Sequence, residues 1–284
     1  MRFLSTTFWP AHLLNSYSTD PRHGQIMCLA GILMYGLWSG ILVSQGTTLA
    51  AIWVGAMGTE YGLFKLRRPS TLVTWGVFKS SVITCLSLCL LLRVTDPAFA
   101  LMAGCIAIGS KSLLRTPQGH WFNPANFALV VCTLSLDGAW ISPGQWGQTL
   151  WLVVLVGAAG VMVSNTAARL DTALWFLFSY TVIIFSRAYW LGDPWSIPLQ
   201  QIQSSALLIF AFFMLTDPKT SPRHTLARAL YGFAIALLGT FMQFQQFQSA
   251  GIFYSLLISC ACVPLLNHLM SAPVYQWSIK EKKS

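Results

Sequence analysis

The chain has 284 residues, of which 55% are hydrophobic and only 9% charged, with a mean hydropathy of +0.61. Soluble globular domains carry roughly 25% charged residues, so the composition excludes a water-soluble enzyme and indicates an integral membrane protein with little extramembrane mass. The net charge of +9 does not indicate nucleic acid, because the basic residues form short clusters between apolar stretches and no continuous stripe.

Residues 1–24 are polar and aromatic, broken by Pro10, Asp20 and Pro21, with no continuous apolar core of a signal peptide. The first span is therefore expected to serve as its own insertion signal. Apolar stretches long enough to cross a bilayer, which takes ~20 residues, are predicted near 25–44, 47–64, 76–92, 97–113, 124–140, 147–165, 171–191, 200–215, 226–245 and 250–270. The expectation is an all-α membrane protein of about ten transmembrane helices, with one transmembrane domain over 25–271 and a basic tail over 272–284. The third and eighth spans are the shortest and open with serine pairs, Ser80-Ser81 and Ser204-Ser205. Both are expected to be broken or re-entrant, a form tolerated only where protein or water covers the backbone.

The segment from Lys79-Ser80-Ser81 to Thr95-Asp96-Pro97 loosely echoes the one from Ser204-Ser205 to Thr216-Asp217-Pro218. It predicts two pseudo-repeats, about 25–140 and 147–271, forming an inverted-repeat bundle with its site where the halves meet. Basic residues test the topology. Arg2, Arg22, Lys65, Arg67, Arg68, Lys111, Arg115, Arg169, Lys219, Arg223, Arg228, Lys280, Lys282 and Lys283 all fall on one set of alternate loops. By the positive-inside rule both termini are expected in the cytoplasm. Trp75, Trp121, Trp140, Trp146, Trp190, Trp195 and Trp277 sit at predicted span ends, as interfacial anchors do.

The residues that carry chemistry are few. The seven cysteines lie in apolar spans without a CxxC pair and read as apolar filler, so no metal site is expected. Glu60 is an intramembrane carboxylate, which points to an ion path or to a buried pair, with Lys65 as a local partner. Asn123-Pro124 has the form of a helix start, and its free N–H groups would favour a phosphate together with Lys111 and Arg115. Asp217, flanked by Thr216, Lys219 and Thr220, ends the eighth span in a polar turn and is expected to pair with Lys219 or Arg223 or to cap the turn. No histidine sits mid-span, so intramembrane bis-histidine haem is not expected. The glutamines at 243, 245, 246 and 248 read as a wet helix end.

The runs Phe122-Asn123-Pro124-Ala125 and Thr216-Asp217-Pro218-Lys219-Thr220, in this order and on these spans, resemble those of the NqrB/RnfD family, membrane subunits of the sodium-pumping NADH:quinone reductase and the Rnf complex. The likeness runs from about Asp20 to His268 and takes in Lys111, Ser80, Ser81 and the segment from Ser204 to Thr220. It implies a urea-channel-like inverted-repeat bundle in a bacterial inner membrane, with other membrane redox subunits as partners. It also implies flavin. The family's attachment threonine is absent from the loop 137–146, and Leu207 stands where the family's Ser-Gly-Ala-Thr has its Thr. Riboflavin or FMN held without a covalent bond is thus expected. Ser80, Ser81, Lys111, Asn123, Ser204, Ser205, Thr216, Asp217, Lys219 and Thr220 are the candidate contacts, and Glu60 the candidate ion path. The function expected is electron transport within a membrane redox complex. The alternatives are a small-solute transporter or channel on the same scaffold, and a non-catalytic assembly subunit.

Overall fold

A computed structural model describes residues 20–40, 42, 46–116, 119–142 and 150–273. The terminal segments, with Trp277, and residues 143–149, with Trp146, lie outside the described residues. The described chain is helical throughout, apart from two short strand pairs.

The first five helices are α1 (Pro21–Trp38), α2 (Gly46–Arg67), α3 (Trp75–Leu91), α4 (Pro97–Leu113) and α5 (Pro124–Ser135). Three of them start the same way. Asp20, Asp96 and Asn123 each accept a hydrogen bond from a backbone N–H of the first turn, and each is followed by proline in that turn. Proline costs nothing there because its missing N–H would have no helical partner. The strand β1 (Leu92–Val94) follows α3 and pairs antiparallel with β4 (Ala139–Ile141) beyond α5. Between α4 and α5, β2 (Arg115–Thr116) pairs with β3 (Gly119–His120).

After the undescribed loop come α6 (Leu150–Thr166), α7 (Leu170–Leu191), the short α8 (Ser196–Ile202) and α9 (Ser205–Ile209). The last of these runs on as a π-helix, Phe210–Met214. The chain ends in α10 (Thr225–Gln245) and α11 (Gly251–Leu269). Helices α7, α10 and α11 are each long and apolar enough to cross a membrane, and α8 with the α9 segment makes a fourth candidate, bent by 43°. The remaining apolar helices include α3, α4, α5 and most of α6, each of 10–17 residues.

The packing recurs along the chain. Helix α2 lies on α4 and α7 on α10; α4 meets α5 and α10 meets α11; α1 meets α3, and α6 meets the α9 segment. Between the two sets, α1 contacts α6 and α5 contacts α11. Glycine permits the closest approaches. A Cβ on Gly104 of α4 would come within 2.6 Å of the Ile52 carbonyl oxygen of α2. One on Gly232 of α10 would come within 2.9 Å of the Phe176 amide of α7. Each glycine is the eighth residue of its helix. Small residues of this kind let membrane helices pack backbone to backbone. The core of the second set centres on Phe210, fully buried, with ring centroids 5.1 Å from Phe176 and 5.2 Å from Phe253.

Three expectations are corrected or met. The third span is not broken: α3 is one continuous helix. Its end is closed by Arg93, whose guanidinium donates to the carbonyls of Cys89, Leu90 and Leu92, so no loose backbone is left to cover. The fifth span stops at Ser135, because β4 takes up the chain that was read as helix. The eighth is interrupted as expected, at Gln203-Ser204, where Ser204 caps α9. Of the expected anchors, those within the described residues, Trp75, Trp121, Trp140, Trp190 and Trp195, are exposed.

Candidate functional site

The π-helical turn makes the site. A π-turn carries one residue more than the α-helix allows, so its carbonyls lose their regular partners and need others. Here side chains from elsewhere supply them. The carbonyl of Phe212 accepts from Ser164 of α6 at 2.9 Å and from Thr216 at 2.5 Å. That of Phe213 accepts from the Gln25 amide of α1 at 3.3 Å, and that of Met214 from the Asn123 amide at the start of α5, also at 3.3 Å.

The turn that follows is held by Asp217. Its carboxylate lies 2.9 Å from His120 Nε2 and accepts from the Lys219 amide at 3.0 Å. Burial pushes the Asp217 carboxyl up, but the charge and hydrogen bond of His120, with Lys219 beside it, outweigh that and hold it below its ordinary value. Across the gap, Asp20 is pinned by Arg22 at 2.8 Å and by Lys79 at 3.1 Å. Burial raises this carboxyl too, yet the hydrogen bonds from Arg22 and Lys79 bring it down to about 2.

Between these groups lies a cavity of about 190 Å³. Its polar wall includes Arg22, Ser80, Ser87, His120, Asp217 and Lys219; Ile83, Val163, Phe212 and Phe213 supply apolar surface. The walls thus come from α1, α3, the α4–α5 connection, α6 and the π-turn.

The NQR2, RnfD, RnfE family profile matches residues 133–276, just over half of the chain. The chain belongs to that family. Among similar proteins, the D subunit of the ion-translocating oxidoreductase complex of Erwinia tasmaniensis is 31% identical over 100 residues, 34% of this chain and 28% of the relative. Its counterpart of the same name in Mannheimia succiniciproducens is 30% identical over 103 residues, 36% and 29% of the two chains. That of Escherichia coli K12 is 29% identical over 134 residues, 46% and 36%. The chain thus aligns with about a third of the length of these relatives.

In this NQR2/RnfD/RnfE member the sequence-predicted site divides in two. Ser80, Asn123, Thr216, Asp217 and Lys219 line the cavity. Ser81 and Lys111 do not. They form a second cluster with Glu60, in which Lys111 Nζ lies 2.7 Å and Ser81 Oγ 2.6 Å from one carboxylate oxygen. Lys111 therefore serves Glu60 and is not available to a phosphate at the Asn123 helix start. Arg115 is exposed on β2. Lys65, the expected partner of Glu60, turns instead to the carbonyls of Pro69 and Thr71.

Ser204, Ser205 and Thr220 are structural in position. Ser204 caps α9, Ser205 is buried within it, and the Thr220 carbonyl accepts from Tyr231. The Asp217 carboxylate pairs with neither the Lys219 ammonium nor Arg223, because His120 reaches it first from β3, but it does cap the turn as expected, through the Lys219 amide. His120, Arg22, Gln25 and Ser87 are site residues that the sequence reading did not select. Only Arg22 had a signal, its place two residues after the Asp20 cap. Among the described residues, no group of three or more His, Cys, Asp or Glu side chains is arranged to hold a metal ion.

Proposed function

We propose that the chain works as a membrane-embedded electron-transport subunit of a multi-subunit ion-translocating oxidoreductase, in the sense of its relatives' name, with other membrane redox subunits as partners. The observation that carries this reading is that its two family runs meet. The Asn123 amide, in Phe-Asn-Pro-Ala, reaches the carbonyl of Met214, two residues before the Thr-Asp-Pro-Lys-Thr turn, at the wall of one cavity. The recurrent packing of α2 on α4 and α7 on α10 supports a duplicated bundle; its ten crossings, cytoplasmic termini and bacterial inner membrane belong to the proposal.

The ligand proposed for the cavity is a flavin held without a covalent bond. Its polar wall suits a ribityl or phosphate end. At about 190 Å³ the cavity is smaller than sites for drug-sized ligands, which run from about 300 Å³. The tricyclic ring would lie outside it. A bound flavin would supply the redox chemistry, and the protein its position and electrostatics. An ion moving by way of Glu60 would first have to displace the Lys111 ammonium.

Purification in mild detergent, a visible spectrum and acid precipitation test this reading. Flavin in the supernatant is the expected result. Flavin in the pellet means covalent attachment, and a colourless protein overturns the flavin reading. The cavity's small volume favours a second reading, passage of a small polar solute, for which uptake into proteoliposomes without a redox donor is the test. Stable co-purification with partners, with neither flavin nor uptake, would indicate an assembly subunit.

A further inference from the structure

We infer that the ends of α2 and α4 form a docking rim for anionic phospholipid headgroups, in which Arg68 and Arg115, backed by Lys65 and Arg67, take the phosphates. Such a rim requires a chain embedded in a bilayer, but neither a flavin nor electron transport.

The charges on this rim are uncompensated. Arg67 Nη2 donates to the Ser112 carbonyl at 3.1 Å, which sets the last turn of α2 against that of α4. Lys65 Nζ donates to the carbonyls of Pro69 and Thr71. These two cations close helix and loop carbonyls, an ordinary task at a helix C-terminus. Arg68 and Arg115 have no such task. Both are exposed, and neither side chain makes a hydrogen bond or ion pair among the described residues. Arg115 lies three residues past Ser112, so within about 11 Å of the Arg67 contact. Between residues 61 and 136 the only carboxylate is Asp96, which caps the opposite end of α4. Glu60 is taken by Lys111. Four cations therefore stand together with no acid to answer them. By contrast, Arg169 and Arg228, near the starts of α7 and α10, are buried and turned inward, Arg228 onto Asp171 at 2.6 Å and Arg169 onto the Ser221 hydroxyl at 3.1 Å.

The flank that leads to the rim is apolar. Leu66 and Leu113, beside these cations in the sequence, are 81% and 79% exposed. Val54 and Tyr61 on α2, and Leu101 and Met102 on α4, are exposed too. Val54 lies about 20 Å along the helix from Arg67, against ~15 Å for the hydrocarbon of one leaflet. An acyl chain laid along this flank delivers its headgroup to the rim. Trp75, exposed at the start of α3, marks the same level, as interfacial tryptophans do. Leucine tips among acyl chains and guanidiniums among phosphates are what a bilayer surface accommodates. This continuity of rim and lipid-facing flank favours a lipid over a soluble acidic partner. Arginine forks pair with phosphate oxygens through charge-assisted bonds.

The test uses the whole protein in a neutral detergent, titrated at constant ionic strength with fluorescent phosphatidylglycerol or phosphatidylcholine of the same acyl chains, and read by equilibrium binding. Phosphatidylglycerol is expected to bind at least roughly tenfold tighter, a margin that shrinks as salt is raised. Arg68→Gln combined with Arg115→Gln should remove most of it, at about fivefold for each cation lost, without moving the unfolding temperature in lipid-free detergent. Arg68→Lys with Arg115→Lys should keep it. Arg187→Gln, near the C-terminal end of α7, should have no effect.

Equal binding of the two lipids overturns the rim, as does a preference that survives in the double glutamine variant or is lost in the double lysine one. Unchanged lipid binding in a double glutamine variant that sheds a co-purifying subunit also overturns it, because the cations would then serve an acidic protein. Flavin release by acid, measured on the same preparations, is independent of these outcomes and decides the flavin reading separately.

Discussion

His120 Nε2 and the Asp217 carboxylate lie 2.9 Å apart, and this contact fastens the β2–β3 hairpin to the turn that follows the π-helix. Replacing Asp217 by Asn removes the charge from a largely buried pair. A loss of about 1.5–3 kcal/mol, the worth of a hydrogen bond to a charged group, is expected, measured as the shift in thermal unfolding in detergent.

The same pair predicts a pH dependence. The Asp217 carboxyl is held below its ordinary value of 3.8 when folded. Its stabilisation is therefore complete above that ordinary value and disappears as pH falls through the folded one. Asp20, held at about 2, behaves likewise between about 4 and 2. Stability should fall on acidification below pH ~4, and Asp217→Asn should flatten part of that fall. An unchanged acid limb in the variant would count against the pairing.

Much of the fold was legible in the sequence, for local reasons. Asn123-Pro124 announces a helix start, and the structure has it there; the span expected from 97 begins at Pro97, whereas the first helix, expected from 25, begins at Pro21, where Asp20 caps it in the same way. The interruption at Gln203-Ser204 was marked by a serine ahead of a short apolar run. The π-turn was not legible, because one surplus residue leaves no mark on an all-apolar stretch. Nor were the ion pairs. His120 and Asp217 are 97 positions apart, and Glu60 and Lys111 are 51 apart, so each competed in the sequence with nearer partners that geometry rejects.

The Glu60–Lys111–Ser81 cluster joins α2, α4 and α3. Lys111→Met would leave the carboxylate with a single hydroxyl donor and should cost about 3–5 kcal/mol, as breaking a largely buried pair does. Glu60→Gln combined with Lys111→Met should recover part of that loss. A double-mutant cycle measures the coupling; independent, additive losses would show that the pair does not bind the helices together.

Gly104 and Gly232 should be equally intolerant of size. Gly104→Val and Gly232→Val each drive a side chain into the backbone of a neighbouring helix, where overpacking costs typically 1–3 kcal/mol or more. Gly58→Ala, with no atom within 4 Å of the new Cβ, is the control and should be neutral or mildly stabilising. Unfolding temperatures of the three variants decide.

The carbonyl bonds of the π-turn predict local effects. Gln25→Leu removes the side-chain donor from the buried Phe213 carbonyl, at a cost of about 1–3 kcal/mol, and Ser164→Ala leaves the Phe212 carbonyl to Thr216 alone, at about 0.5–1.5 kcal/mol. Hydrogen exchange over 210–216 should quicken in both variants while α10 and α11 keep their protection. A uniform change along the chain would show that these bonds are not local supports.

Helix α1 carries Arg22 on the cavity wall and, three residues on, Gln25, which grips the carbonyl of Phe213. A single rigid rod thus touches both the chamber and the irregular backbone beside it. Sliding that rod by a fraction of a turn would reshape the chamber and pull on the π-turn in the same stroke. The two cannot vary independently, and α1 acts as the handle by which one is felt at the other.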